Sequence, residues 1–168
     1  MSAINPKPYS VLPLYERDYY LWAQEQARAL TEHRPDQIDW ENLAEEVDDL
    51  ARRNADALEG HCETLIEHLL KIAIAPESIR KNNQRLWRTS VRNARHKIRI
   101  LLRRNPSLRS RSEELFGDAW PIARNNALAK LDLDEESIPE EPLFKFAQAF
   151  DDQFEPETLS LGNGPASC

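Results

Sequence analysis

An apolar stripe with a helical period runs without a break through the middle of the sequence, and it constrains the fold more than any other feature. Its members lie three or four residues apart and keep one phase: Leu43, Val47, Leu50, Asn54, Leu58, His61, Leu65, Leu69 and Ile72. This spacing places side chains on one face of an α-helix. The sequence therefore predicts one long helix, capped by Asp36 or Asp39, able to bend at Gly60 and ended by Pro76.

Shorter helical patterns flank this long helix. A first helix covers 15–32, and a third helix begins at Asn82 or Asn83 and ends at Asn105. A further helix starts at Pro106, and a last sizeable helix ends at about Leu131. An acidic loop over 132–142 and a short helical turn over 143–150 follow. The last two helices are predicted as separate because Gly117 and Asp118 interrupt the pattern. Pro121 is tolerated only if Asp118 begins a new helix, in whose first turn Pro121 would then lie.

Composition also favours an all-α fold. Leu, Ala, Glu and Arg dominate, only 4 Gly are present, and neither a strand pair nor an internal repeat is visible. We predict an antiparallel helical bundle in which the long second helix packs against an Arg-rich third helix. One domain suffices for 168 residues. Its predicted bounds are 14–156, preceded by an extended arm over 1–13 and followed by a disordered tail over 157–168.

Cysteine usage and hydropathy indicate a cytoplasmic protein that does not enter a membrane. The chain has 2 Cys, Cys62 and Cys168, which provide neither a disulfide framework nor metal-ligand spacing. Cys62 flanks the apolar stripe and is predicted to behave as a small hydrophobe. The longest apolar stretch, 69–75, is interrupted by Lys71, and no segment reads as a signal peptide.

Charge is strongly segregated along the chain. The net charge is -7, yet residues 78–112 hold 12 basic and no acidic side chains. Residues 1–77 hold 7 basic and 16 acidic side chains, and residues 113–168 hold 3 and 13. Such a cationic island predicts either an internal acidic partner or a surface for an acidic ligand.

Six arginines of this island share one side of the predicted third helix: Arg85, Arg88, Arg92, Arg95, Arg99 and Arg103. We call them the arginine band. One hypothesis is a surface that tracks the phosphates of a nucleic acid. The other is an internal ladder of ion pairs between this helix and the long helix. If the two helices are antiparallel and the chain turns near Glu77, acidic side chains of the long helix lie opposite the arginines. The predicted pairs are Glu67 to Arg85, Glu63 to Arg92, Glu59 to Arg95 and Asp56 to Arg99. The ladder explains more of the pattern and is preferred.

Acidic and histidine side chains of the long helix invite a metal hypothesis, which their spacing discourages. Glu46 and His68 are about 33 Å apart along a straight helix, and no Glu-x-x-His pair is present. We expect Glu46, His61 and His68 to be structural polar core residues. Tyr15, Tyr19, Tyr20, Trp22, Trp40, Trp87 and Trp120 are expected to be core anchors with one polar end. Common catalytic motifs are absent, so no cofactor is expected and an enzyme is disfavoured.

Several strings resemble a known bacterial family, the domain of unknown function 29 family. They are Y-E-R-D-Y-Y-L-W-A at 15–23, D-W-E-N-L-A-E-E-V-D-D-L at 39–50, H-L-L-K at 68–71, W-R-T-S-V at 87–91 and P-S-L at 106–108, with the Pro139, Pro142 and 150–156 signals after them. The resemblance covers roughly 14–156 and implies an all-α bundle without an assigned activity. Lys130-Leu131 stands where the family often has Gly.

The sequence leaves three functional hypotheses. The preferred one is a non-catalytic module that presents a surface to a macromolecular partner, most simply a protein. The second is a nucleic-acid-binding protein that uses the arginine band, and the third is an unrecognised enzyme or metal-binding bundle. Self-association fits the long amphipathic helices, although the pattern fixes no stoichiometry.

Overall fold

The structure is a computed structural model that describes residues 12–156. The predicted long helix is present in it from Trp40 to Ile74. The described part is 81% helical and contains no strand, which confirms the all-α class. Its helices are α1 (Leu14–Arg17), α2 (Tyr19–Thr31), α3 (Trp40–Ile74), α4 (Glu77–Arg104), α5 (Ser112–Leu131) and α6 (Phe146–Phe150), with 3₁₀ turns at Pro35–Gln37, Pro106–Arg111 and Glu135–Ser137. The expected arm over 1–13 lies largely outside these residues, and the expected tail over 157–168 lies wholly outside them.

The start of α3 follows the predicted capping chemistry. The Asp39 side chain accepts the Asn42 backbone N–H at 3.4 Å, and its carbonyl accepts the Leu43 N–H at 3.0 Å. Asp39, and not Asp36, therefore caps the long helix. The helix continues through Gly60 and ends two residues before Pro76.

Three predicted boundaries were wrong, each for a local reason. Asp18 interrupts the first helix, since its side chain accepts the Leu21 N–H at 3.0 Å and caps a new start. The Arg-rich helix begins at Glu77 because the Pro76 carbonyl accepts the N–H groups of Ile79 and Arg80, so Pro76 starts that helix as well as ending α3.

The third error is the expected break at Gly117 and Asp118. α5 runs through both residues and holds Pro121 in its interior. Proline removes the hydrogen bond to the carbonyl four residues earlier, here that of Gly117. Because Gly117 is exposed, water can reach that carbonyl. The helix therefore continues where the sequence predicted a break.

The chain divides into two compact units, with the boundary between residues 51 and 52. In the first unit, Trp22 is buried and donates its indole N–H to Asp39 at 3.2 Å, while the buried Gln26 accepts the Asp39 N–H at 2.8 Å. The rings of Tyr15 and Tyr19 contact Trp22 at 4.8 and 5.6 Å between centroids. The expectation of one domain over 14–156 stays a prediction.

The second unit holds the hydrophobic core. α3 and α4 pack against each other and against α5, as predicted for the antiparallel bundle. The largest fully buried side chains are Trp120, Phe116, Leu58, Leu65, Ile66, Leu69, Leu70, Ile98, Ile138 and Cys62. Full burial of one such aliphatic side chain contributes about 1.5–3 kcal/mol. Segment 143–150 adds Phe144 and Phe146, which pack on Phe116.

The expected aromatic and cysteine anchors are placed unevenly. Trp22, Trp87 and Trp120 are buried as expected, whereas Tyr19, Tyr20 and Trp40 are 48%, 73% and 60% exposed, so that expectation was wrong for these three. Cys62 is fully buried, as expected of a small hydrophobe, and burial raises the pKa of its thiol to about 12. Across residues 12–156, no helix has the length and apolar content needed to cross a membrane.

Candidate functional site

The arginine band does not form the predicted ladder with α3. Glu67, expected opposite Arg85, instead binds the ammonium groups of Lys71 and Lys130. Arg88, Arg95 and Arg99 contact the segment 149–155, which comprises the last two residues of α6 and the stretch after them. The band is therefore bound by a stretch near the end of the described chain, and the ladder was wrong.

Arg95 is the centre of this contact. Its side chain is 3% exposed, and its guanidinium donates to the carbonyl oxygens of Ala149 at 2.8 Å, Phe154 at 2.8 Å and Asp152 at 3.4 Å. Burial lowers the pKa of Arg95, while the carboxylates of Asp152 and Asp151 act in the opposite direction. A guanidinium is one of the few groups that can satisfy three carbonyls at once, since it carries five N–H donors in a fixed fork.

Two exposed arginines flank Arg95 and bind the same segment. Arg88 donates from Nε and Nη2 to one oxygen of Glu155 at 2.8 and 2.6 Å. Arg99 donates to both oxygens of Asp152 at 3.1 and 3.0 Å, and its guanidinium lies 5.3 Å from the centre of the Phe150 ring. The surface therefore binds carboxylates, carbonyls and an aromatic face together.

A cleft of about 480 Å³ opens beside this segment, within the size range of ligand pockets. We call it the arginine cleft. Its apolar side chains are Leu69, Ile72, Val91 and Phe154; its charged side chains are Lys81, Arg85, Arg88, Arg92, Arg95, Asp152 and Glu155; Gln84 and Gln153 complete it. Five cations thus face two carboxylates, which leaves an excess of positive charge.

Arg85 and Arg92 carry that excess. Both are exposed, and in the described part of the chain neither is paired with a carboxylate. Arg92 donates only to the Thr89 hydroxyl at 3.3 Å. The other cations of the cleft are committed, Lys81 to Glu77 and Arg88 to Glu155. Two guanidiniums beside an apolar floor can bind an anionic group that has an apolar neighbour. The sixth member of the band, Arg103, is exposed in the last turn of α4.

The expected polar core residues lie in three separate settings. Glu46 belongs to the first unit, where Tyr15 and Tyr19 donate their hydroxyls to it at 2.8 and 2.6 Å. His61 is half-buried and lines a small polar pocket with Lys97. His68 is half-buried, and its Nδ1 lies 2.8 Å from the Thr64 carbonyl. Burial lowers the pKa of both histidines, with Lys97 adding to the effect at His61. Among residues 12–156, no group of His, Cys, Asp or Glu is placed to hold a metal ion.

The contact to Glu46 yields a spectroscopic prediction. The hydrogen bond to Glu46 raises the pKa of Tyr15 to about 12, with burial and the Glu46 charge adding to it. In a Glu46→Gln variant, we expect the pKa of Tyr15 to fall toward 10, because the anionic acceptor is lost. NMR titration of ring-labelled tyrosine measures this change. Glu45→Gln removes a neighbouring charge but no hydrogen bond, and an equal shift in that variant would contradict the prediction.

Sequence reasoning found the arginine band but missed its partners. Asp152, Glu155 and the carbonyls of 149–154 are 53 to 67 residues away along the chain from the arginines that bind them. The available signal was the cluster of acidic residues around Phe150 and Phe154, which matches a cationic surface in charge. The contact of Lys130 with Glu67 was missed too, since it joins α5 to α3 over 63 residues.

Fold and site together define an all-α chain with a cationic cleft on its second unit. The model of the family described as domain of unknown function DUF29 matches residues 14–155, so the chain belongs to that family, as its sequence strings indicated. No curated protein and no solved structure matches the chain.

Proposed function

We propose that this chain is a non-catalytic interaction module whose arginine cleft binds an acidic segment of a partner protein. The observation that carries the proposal is the uncommitted pair Arg85 and Arg92, which stands beside an apolar floor. Ion pairs of exposed arginines such as these contribute at most about 1 kcal/mol each. Two such contacts with some apolar burial suit a weak, reversible complex.

The chain's own segment 149–155 indicates which ligand chemistry this surface accepts. Carboxylates of Asp152 and Glu155 bind its arginines, and the Phe154 ring forms part of the cleft wall. A partner segment with Asp or Glu next to an aromatic or aliphatic side chain would repeat these contacts at Arg85 and Arg92. The proposal therefore names an acidic, partly apolar peptide segment as the ligand.

The same geometry disfavours nucleic acid. Three of the six band arginines are committed to segment 149–155, so the row needed to follow a phosphate backbone is broken. Asp152 and Glu155 on the cleft rim repel phosphates. Trp87 is 6% exposed and is not available to stack on a base.

A displayed library of random short peptides tests the proposal without a known partner. We expect selection on the full chain to enrich peptides that place Asp or Glu beside an apolar side chain. Their affinity should fall at least about tenfold for an Arg85→Gln, Arg92→Gln variant, which loses both uncommitted guanidiniums. The matched control is Arg103→Gln, Arg104→Gln, which removes equal charge from the same helix outside the cleft.

Two outcomes would contradict the proposal. Equal loss of affinity in the cleft and control variants would show attraction to net charge without a site. Tighter binding of a single-stranded oligonucleotide than of any selected peptide, with a steep dependence on salt, would favour the nucleic-acid hypothesis.

A further inference from the structure

A small polar pocket lies between α3 and α4 and shares no residue with the arginine cleft. Its volume is about 200 Å³, which is below the range of about 300–1,000 Å³ that drug-sized ligands occupy. The pocket therefore admits a small ion or a single polar group. We call it the His61 pocket, and its lining residues are His61, Thr64, Ser90, Asn93, Ala94 and Lys97.

Helical spacing brings these side chains together. The α3 pair is three residues apart, and the α4 residues follow the i, i+3, i+4, i+7 positions of one helix face. The methyl group of Ala94, which is 2% exposed, is the one aliphatic side chain of the lining. The longer side chains around it are all polar, so the pocket is bounded almost wholly by groups that form hydrogen bonds.

Most of this hydrogen-bonding capacity is unused within the chain. The Thr64 hydroxyl donates to the Gly60 carbonyl at 3.1 Å. In the part of the chain from 12 to 156, the other four polar side chains of the lining have neither a hydrogen-bond nor an ion-pair partner. An ammonium carries three N–H donors, a side-chain amide carries two, and a hydroxyl and a neutral imidazole carry one each. The pocket can therefore donate to several acceptor oxygens at once.

Charge selects an anion as the occupant. Lys97 is the cation of the lining, and no carboxylate of the described residues lines the pocket. Burial and the Lys97 charge both lower the pKa of His61, and no carboxylate opposes them. A metal ion or an organic cation would meet the Lys97 ammonium without a compensating anion. A ligand with a large apolar body would find only the Ala94 methyl. A compact oxyanion meets neither obstacle.

We propose that the His61 pocket binds a phosphate group, as free phosphate or as a small phosphate monoester. A phosphate group presents several acceptor oxygens and up to two negative charges, and lysine commonly binds it as a point charge. Thr64, Asn93 and Lys97 are exposed, so water competes for the ligand, and we expect a dissociation constant on the order of millimolar. The proposal uses other residues than the arginine cleft and stands apart from the proposed function.

NMR of the full chain with ring-labelled histidine tests the proposal at the site itself. The probes are inorganic phosphate and sulfate, each exchanged against sodium chloride at constant ionic strength. We expect a saturable change at His61 and none at His96, which is exposed on α4 outside the pocket. Sulfate keeps its charge across the titration, so the pKa of His61 should rise when sulfate is bound, because a nearby anion favours the imidazolium. Lys97 is the charged side chain that faces His61 in the pocket.

A charge variant and its control locate the anion. Lys97→Gln should weaken phosphate binding by about fivefold or more, because the cation of the pocket is lost. Arg103→Gln removes equal charge from an exposed position of the same helix outside the pocket and should leave the affinity unchanged. Arg85→Gln with Arg92→Gln should also leave the change at His61 intact, so failure of this proposal is distinguishable from failure of the proposed function.

A neutral pair of variants separates a built site from general attraction to positive charge. Ser90→Ala with Asn93→Ala removes hydrogen-bond donors without changing charge, and binding should weaken by about fivefold or more. Its control is Asn82→Ala with Ser107→Ala, two exposed polar positions outside the pocket. Circular dichroism checks that each variant keeps its helix content.

Methyl phosphate distinguishes the two sources of the group. Binding as tight as that of phosphate assigns the pocket to a monoester, and binding of phosphate alone assigns it to the free ion; both results support the site. Three results would overturn the proposal. They are no saturable change at His61, binding of acetate as tight as that of phosphate, and equal weakening in the pocket and control variants.

Discussion

Replacing Arg95 with methionine is expected to lower the free energy of unfolding by about 2–4 kcal/mol and to release segment 149–155 from α4. Methionine keeps much of the aliphatic volume but donates no hydrogen bond, so the carbonyls of Ala149, Asp152 and Phe154 lose their donor. A buried polar group left without a partner costs about 1–3 kcal/mol. Two of these carbonyls lie near the surface and regain water in part. Chemical denaturation measures the energy, and hydrogen exchange of the amides in 149–155 measures the release.

Two further variants define what Arg95 contributes. Arg99→Met removes an ion pair whose side chains are 49% and 60% exposed, and the expected loss is at most about 1 kcal/mol. Arg95→Lys keeps the charge without the fork of donors, so its stability should lie between that of wild type and Arg95→Met. If Arg95→Met stays within about 0.5 kcal/mol of wild type, a size typical of surface substitutions, the segment is held by other contacts.

The failure of the predicted ladder shows where sequence reasoning stops. The sequence correctly predicts that α3 and α4 are neighbours, because the helical period of each is a local property of the chain. Matching residues across these two helices, however, leaves out every other segment that packs against them. In the bundle, Glu67 also faces Lys130 of α5, and Arg95 faces segment 149–155. A third or fourth neighbour changes the partner of a buried charge without changing any local pattern.

The candidate site was predictable in its cations and not in its shape. Regular spacing on one helix face gave the arginine band, and the structure confirms that these residues share α4. The cleft forms where segment 149–155 lies against that face. Segment 149–155 has no helical period that fixes its position, and its acidic side chains match a cationic surface in charge without indicating which arginines they bind. Which arginines remain uncommitted is therefore a property of the fold and not of the sequence pattern.

The largest single effect is expected at Glu67. Its side chain is 7% exposed and binds Lys71, which is 6% exposed, and Lys130, whose ammonium lies at 2.7 Å. Glu67→Gln leaves the buried Lys71 ammonium without an anion. Removing one partner of a buried ion pair costs about 3–5 kcal/mol, so a comparable loss of unfolding free energy is expected at neutral pH. Chemical denaturation at several pH values measures it.

The dependence on pH has a definite sign. Burial alone would raise the pKa of Glu67, but hydrogen bonds from Lys130 and Lys71 outweigh it, and the pKa lies below its ordinary value of 4.5. A carboxylate with a lowered folded-state pKa stabilises the fold fully above the unfolded pKa and loses that contribution as pH falls through the folded value. The difference between wild type and Glu67→Gln should therefore be constant near neutral pH and shrink below pH 4.5.

A double variant separates the buried pair from the loss of the side chain itself. Glu67→Gln with Lys71→Met removes both buried charges, so it should recover most of the stability that Glu67→Gln loses. Lys130→Met removes a side chain that is 56% exposed, and the expected loss is at most about 1 kcal/mol. A double variant no more stable than Glu67→Gln alone would show that the loss comes from packing around Glu67. The uncompensated ammonium of Lys71 would then not be its cause.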